Sequence, residues 1–276
     1  MAIKTEDLAA STRSWIGELA TFLGLSFGFS WTIWIAVLLV VPEAGGVAVM
    51  AGAFGPALAA AAMVRRAGRS IGDWLRSIFR VRVSGRFYAL ALAVPVGIVA
   101  VQTVAAAMLD VPLTFDGMPA RVLTFVVTAA AVFFVGGGQE EPGWRGWLQP
   151  KLQERLDPVS TSGVIGVVWA VWHLPLFVLD FEMYRDFRFW LYVPTLVALS
   201  VIYTHLWNRS RGSVVVAMVL HAAINASTAL IPVEDSVETS LDLPFLAQLT
   251  MAGVSALVAA ILVVRRGLTT DTRRTP

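Results

Sequence analysis

Residues 47–64, "VAVMAGAFGPALAAAAMV", run for eighteen positions without a charge, and they form one of eight such apolar runs in the chain. The runs lie near residues 15–41, 46–64, 87–109, 121–138, 160–179, 187–207, 213–231 and 244–264. A helix needs roughly 20 apolar residues to cross a hydrocarbon core about 30 Å thick, so each run is of membrane-crossing length. Lipid offers backbone N–H and C=O groups no partner, which leaves helices and closed barrels as the only spanning structures. Barrel strands would alternate apolar with polar residues, and these runs do not. The expected fold is all-α, a polytopic membrane protein of about eight transmembrane helices. Composition agrees, at 57% hydrophobic and 14% charged with mean hydropathy +0.72, against about 45–50% and 25% in soluble domains. Without repeats or low-complexity tracts, residues 1–276 read as a single transmembrane domain. The first run is too long for the core of a signal peptide and carries Trp31 and Trp34 where a cleavage site needs small residues, so it is expected to be retained. With no cysteine in the chain, disulfides and thiolate catalysis are excluded.

Basic residues between the runs set the orientation. Lys4 and Arg13 precede the first run, seven arginines fall in 65–86, three basic residues in 139–159, two in 208–212 and four in the tail after 264. The alternate loops hold only Arg121, Arg185 and Arg188. By the positive-inside rule both termini are expected in the cytoplasm, in what reads as a prokaryotic plasma membrane. The net charge of +2 and pI near 9.3 then reflect membrane topology and give no case for nucleic acid. Segment 65–86, which mixes arginine with Trp74, Leu75, Ile78 and Phe79, is expected to lie as an amphipathic helix on anionic headgroups.

Against this background the stretch "GGGQEEPGWRGWLQPKL", residues 136–152, stands out at the cytoplasmic end of the fourth run. Glu141 and Arg145 are four apart and can pair on one helix face, whereas Glu140 projects elsewhere and stays free. The glycines before them and Pro142 among them suggest a helix restart with the carboxylates near the positive end of its dipole. Two of the three histidines lie inside spans, His173 in "VVWAVWHLPLF" and His221 in "VVVAMVLHAAINAS". Ionisable groups inside spans cost free energy and mark functional sites by default. His221 has Asn225 one turn further on, on the same face. His205, beside "LWNRSR", reads as an ordinary interfacial residue.

In this order and spacing the motifs resemble those of the CPBP intramembrane proteases, the group that includes type II CAAX prenyl proteases and the Abi proteins of bacteriocin processing and immunity. The family's EExxxR stands here as "EEPGWR", Glu140 to Arg145. FxxxH stands as "WAVWH", with Trp169 in place of Phe, and HxxxN as "HAAIN". The motif core spans about 136–228. The resemblance implies eight spans and an endopeptidase acting on a peptide or membrane-protein substrate within the lipid bilayer. It implies no particular oligomeric state. A carboxylate and an imidazole sharing one water can activate it, for which Glu140 and His173 are the candidates. His221 and Asn225 can stabilise an oxyanion, with Glu141 and Arg145 in support. Trp144, Trp169, Trp172 and Pro175 are expected to pack around the site. No cofactor is expected. The alternative is zinc on Glu140, His173 and His221, but there is no HExxH, and Asn225 is a poor zinc ligand. A proton-coupled transporter, or a non-catalytic immunity or scaffold protein, would also carry Glu and His inside spans. The depths disagree: Glu140 falls at the membrane edge, while His173 lies about 20 Å beyond Ser160 and His221 about 12 Å beyond Ser213.

Overall fold

Apolar helices that cannot hydrogen-bond to lipid must bury their few polar groups against one another, and the computed structural model, which describes residues 5–233 and 241–266, is built that way. Among the described residues, seven segments are long and apolar enough to cross a membrane: Ser11–Val40, Pro42–Arg66, Gly85–Met108, Met118–Gln153, Pro158–Val178, Phe189–Arg209 and Leu243–Val264. A shorter apolar segment, Val214–Leu230, takes the place of the remaining expected span. The chain is an all-α, multi-pass membrane protein. Among the described residues the only extended pairing is the isolated antiparallel bridge between Leu113 and Val233.

The helices are α1 (Thr5–Val40), α2 (Gly45–Gly52), α3 (Gly55–Arg66), α4 (Ile71–Ile78), α5 (Gly85–Met108) and α6 (Met118–Phe134). After a break come α7 (Glu141–Gly143) and α8 (Gln149–Gln153), then α9 (Pro158–Trp172), α10 (Leu174–Val178), α11 (Glu182–Arg185), α12 (Phe189–Arg209), α13 (Val214–Ala226) and α14 (Leu243–Arg266). Local chemistry explains several starts. Ser70 accepts a bond from the Asp73 amide ahead of α4, and Ser213 accepts one from the Val216 amide ahead of α13. Asp157 accepts from the amides of Val159 and Ser160 ahead of α9. The Ser160 hydroxyl and amide hold the Asp157 carboxyl below its usual range. That cap is in place above the ordinary Asp range and is lost as pH falls through the lowered value. α12 packs against both α9 and α14, and α13 against both α5 and α6, so the histidine-bearing helices sit inside the bundle. α6, by contrast, has no buried residue.

Loops sort into two groups by their contacts. Arg155 donates to Ser11 and Thr12, Lys151 pairs with Glu18 at 2.7 Å, and Arg80 donates to the Arg211 carbonyl at 2.9 Å. These are the basic segments that the charge pattern assigns to one side. In the other group Thr114 donates to the Pro232 carbonyl, Arg121 donates to the carbonyls of Ile231 and Val233, and Arg188 pairs with Asp242. The 24 residues of α5 join the two groups, a rise of about 36 Å. With the basic group cytoplasmic, reporter fusions after residues 43, 116, 184 and 238 should all report the outside. Two or more reporting the cytoplasm would overturn that orientation. Position 238 lies outside the described residues.

One expectation changes in detail. α4 is amphipathic, but its apolar face is no free surface for headgroups. Trp74 and Ile78 are buried, and the Trp74 indole donates to the Gly146 carbonyl at 3.2 Å, while Leu75 and Phe79 remain exposed. Segment 65–86 therefore braces the stretch around Gly146 from below.

Candidate active site

Site geometry begins with glycine. α6 stops at Phe134, and the chain turns through Gly136 at φ +126° and Gly137 at φ +151°, backbone angles that side chains rarely tolerate. A Cβ on Gly137 would also fall 2.4 Å from His221 Nε2 and 3.0 Å from Asn225 Nδ2. The helix then restarts as a 3₁₀ turn over Gly138–Glu140, continues through α7, loosens into a π-helical turn over Trp144–Leu148 and ends in α8. Such π turns recur at functional sites because they re-aim side chains.

The restart happens inside the protein, which corrects the expectation that Glu140 sits at the membrane edge. Gln139, Glu140, Glu141, Arg145 and Gln149 are all buried. From Glu140 the helix descends about 16 Å to Lys151, which meets Glu18 at the aqueous end. Glu140 thereby reaches the depth of Trp169 on α9, and the mismatch in depths disappears.

Glu140 Oε2 accepts hydrogen bonds from the Trp144 indole at 3.1 Å and the Trp169 indole at 2.9 Å. Glu141 takes a different partner set. Arg145 Nη1 donates to both of its oxygens, at 3.1 and 2.9 Å, and His221 Nδ1 lies 2.8 Å from its Oε1. Arg145 is fully buried and lies against two rings, its guanidinium carbon 4.0 Å from the Tyr203 centroid and 4.7 Å from that of Trp169. His173 Nδ1 lies 2.9 Å from the Trp169 carbonyl. Asn225 Nδ2 donates to the Gly136 carbonyl at 3.1 Å, tying α13 to the glycine break. The Trp169 ring joins the parts, 6.2 Å from the His173 ring and 5.3 Å from that of His221 while bonded to Glu140.

Both histidine tautomers follow from these partners, because a carbonyl and a carboxylate can only accept. Each Nδ1 therefore carries a proton, and Nε2 is the atom of each ring left to face the site. Glu140 Oε1, His173 Nε2 and His221 Nε2 make no hydrogen bond with the described residues, yet none is among the sealed, unpaired polar atoms. The inward atom of each group is fixed and the other is left open.

All the candidates lie in one cluster: Glu140, His173 and His221 around Trp169, Glu141 between Arg145 and His221, and Asn225 at the exposed rim. What the motifs alone missed is the polar role of Trp144 and Trp169, taken above as packing, and the Glu141–His221 bond. For Trp144 a signal was present, since it lies four residues from Glu140 on one helix face. Tyr184 and Tyr192 were also missed, with rings 5.6 and 5.5 Å from that of His173. Burial, and then the charge of Glu140, push the Tyr184 phenol above its usual range. Their partners come from distant parts of the chain and leave no local trace.

For zinc, the fixed inner atoms resemble the outer support that metal-binding histidines receive. The described residues nonetheless contain no group of three His, Asp or Glu side chains close enough to hold a metal. Glu140, His173 and His221 do not close into a ligand set in this arrangement.

Residues 122–227 match the sequence model of a family described as type II CAAX prenyl endopeptidase Rce1-like. The chain is also 27% identical over 146 residues to CAAX prenyl protease 2 of Methanococcus maripaludis, an alignment covering 51% of this chain and 48% of the relative. The chain thus spans about half the length of the curated relative it matches. All three motifs and the cluster they build fall within the matched segment, and over that segment the chain is similar to the type II CAAX prenyl endopeptidases.

Proposed function

We propose that the chain is an intramembrane endopeptidase that hydrolyses a bond in a peptide or membrane-associated protein, reached from the cytoplasmic side of a prokaryotic plasma membrane. One observation carries this reading: Glu140, His173 and His221 meet around Trp169 with one atom of each left open. Glu140 Oε1 and His173 Nε2 would accept hydrogen bonds from one water. As the water oxygen bonds to the scissile carbonyl carbon, its proton passes to Glu140. When the C–N bond breaks, that proton leaves with the amine. General-base help of this kind is worth about 10²–10⁴-fold.

His221 and Asn225 would stabilise the oxyanion. With Nδ1–H given to Glu141, His221 can donate from Nε2 only as imidazolium. Glu141, 2.8 Å from Nδ1, fixes the ring so that Nε2 faces the site, which gives Glu141 a task beyond pairing with Arg145. Asn225 keeps a second amide N–H after bonding Gly136. Asn225→Ala should lower kcat by roughly 10²-fold with little change in KM, as loss of one transition-state donor does. An equal rise in KM with kcat unchanged would place Asn225 in substrate binding instead. On the same reading no metal takes part, and chelator should leave the rate unaltered. Loss of activity on chelation, restored by zinc at about one ion per chain, would contradict the Glu/His water mechanism.

A further inference from the structure

Trp169 is where this chain departs from the FxxxH motif, and its side chain meets Glu140, Arg145, His173 and His221. Its indole bonds Glu140 at 2.9 Å, its ring lies against those of His173 and His221, and Tyr203 meets it edge-on at 5.8 Å. Phenylalanine could supply the ring contacts. It could not supply the hydrogen bond.

That bond differs in kind from the one made by Trp144. Trp144 lies four residues along the same helix as Glu140 and moves with it. Trp169 lies on α9, four residues before His173, and its own backbone carbonyl accepts from His173 Nδ1 at 2.9 Å. One residue therefore fixes the imidazole through its backbone and the carboxylate through its side chain. A carboxylate oxygen offers two lone pairs, and the two indoles occupy both of those on Oε2. With Oε2 saturated from two helices, the carboxylate plane is set and Oε1 alone stays open.

We infer that Trp169 is a positioning residue for Glu140, coupling the carboxylate to the His173-bearing helix so that Oε1 and His173 Nε2 face a common water. The inference rests on the water-activation reading above. It also explains how a chain with Trp at the motif's Phe position gains a contact with the catalytic machinery.

The test uses full-length protein in detergent and two variants at this position: Trp169→Phe, and benzothienylalanine introduced at codon 169 alone, which keeps the indole's shape with sulfur in place of N–H. The carboxylate stretching band of Glu140 is read by infrared difference between each protein and its Glu140→Gln counterpart, a measurement that needs no turnover. The band should shift in both variants, and kcat should fall about 10-fold or more with KM within about twofold. Should Trp169→Phe fail to fold, the isosteric variant decides. An unmoved band, or a moved band with unchanged kcat in an enzyme that Glu140→Gln inactivates, would reduce Trp169 to packing. Activity surviving Glu140→Gln would instead sink the water-activation reading, and the band alone would then decide whether Trp169 holds the carboxylate.

Discussion

Replacing Glu140 by Gln should lower turnover about 10²–10⁴-fold in a protein that still folds. The side chain is 4% exposed and bonded to two indoles through one oxygen. A glutamine carbonyl can accept both of those bonds, so the packing and the inward contacts survive. What is lost is the open oxygen, replaced by an amide that cannot take a proton from water. Thermal unfolding of the detergent-solubilised variant should stay close to that of the parent while hydrolysis disappears. If the variant unfolds as readily as one lacking Arg145, the roles of the two adjacent glutamates are reversed.

Arg145→Ala should act in the opposite way, on folding first. Arg145 and Glu141 both have fully buried side chains, 2.9 Å apart. The net stability of such a pair is small because desolvation offsets the attraction, but removing one partner strands the other charge and costs about 3–5 kcal/mol. The guanidinium also packs against the Trp169 and Tyr203 rings, so its loss removes packing as well. Glu141 would be left buried with His221 as its remaining partner, and His221 would lose its orientation. The expected outcome is a large drop in melting temperature or failed expression, with activity lost as a consequence. Arg145→Lys keeps the charge but not the planar stacking surface, and should fall in between. A melting temperature unchanged by Arg145→Ala would contradict the buried pair.

How far the residues alone reached can be traced site by site. Helical class follows from apolar run length, because a bilayer permits so few alternatives, although among the described residues seven of the eight expected runs reach spanning length and Val214–Leu230 falls short. The Glu141–Arg145 pair follows from spacing of four on a helix. The burial of Glu140 is not legible in the sequence, for a definite reason. A stretch carrying Gln139, Glu140, Glu141 and Arg145 reads as a solvated helix start, and only tertiary partners on α9, α12 and α13 make its burial affordable. Trp169 was read as packing because an indole's hydrogen bond to a residue 29 positions away leaves no periodic signature. The Glu141–His221 bond, between residues 80 positions apart, is equally silent in the sequence. The glycines before the acids read as a helix restart, and the structure adds a second reason for one of them: Gly137 packs against the His221–Asn225 face, where a Cβ would not fit.

The central claim is that Glu140 directs water onto a peptide carbonyl. Incubating the purified, reconstituted protein with a peptide library in H₂¹⁸O and reading the products by mass spectrometry tests it most directly. The account predicts new C-terminal carboxylates carrying ¹⁸O with the wild type, and their loss with Glu140→Gln. Absence of any cleavage by the folded wild type across the library, or labelled products undiminished by Glu140→Gln, would contradict it.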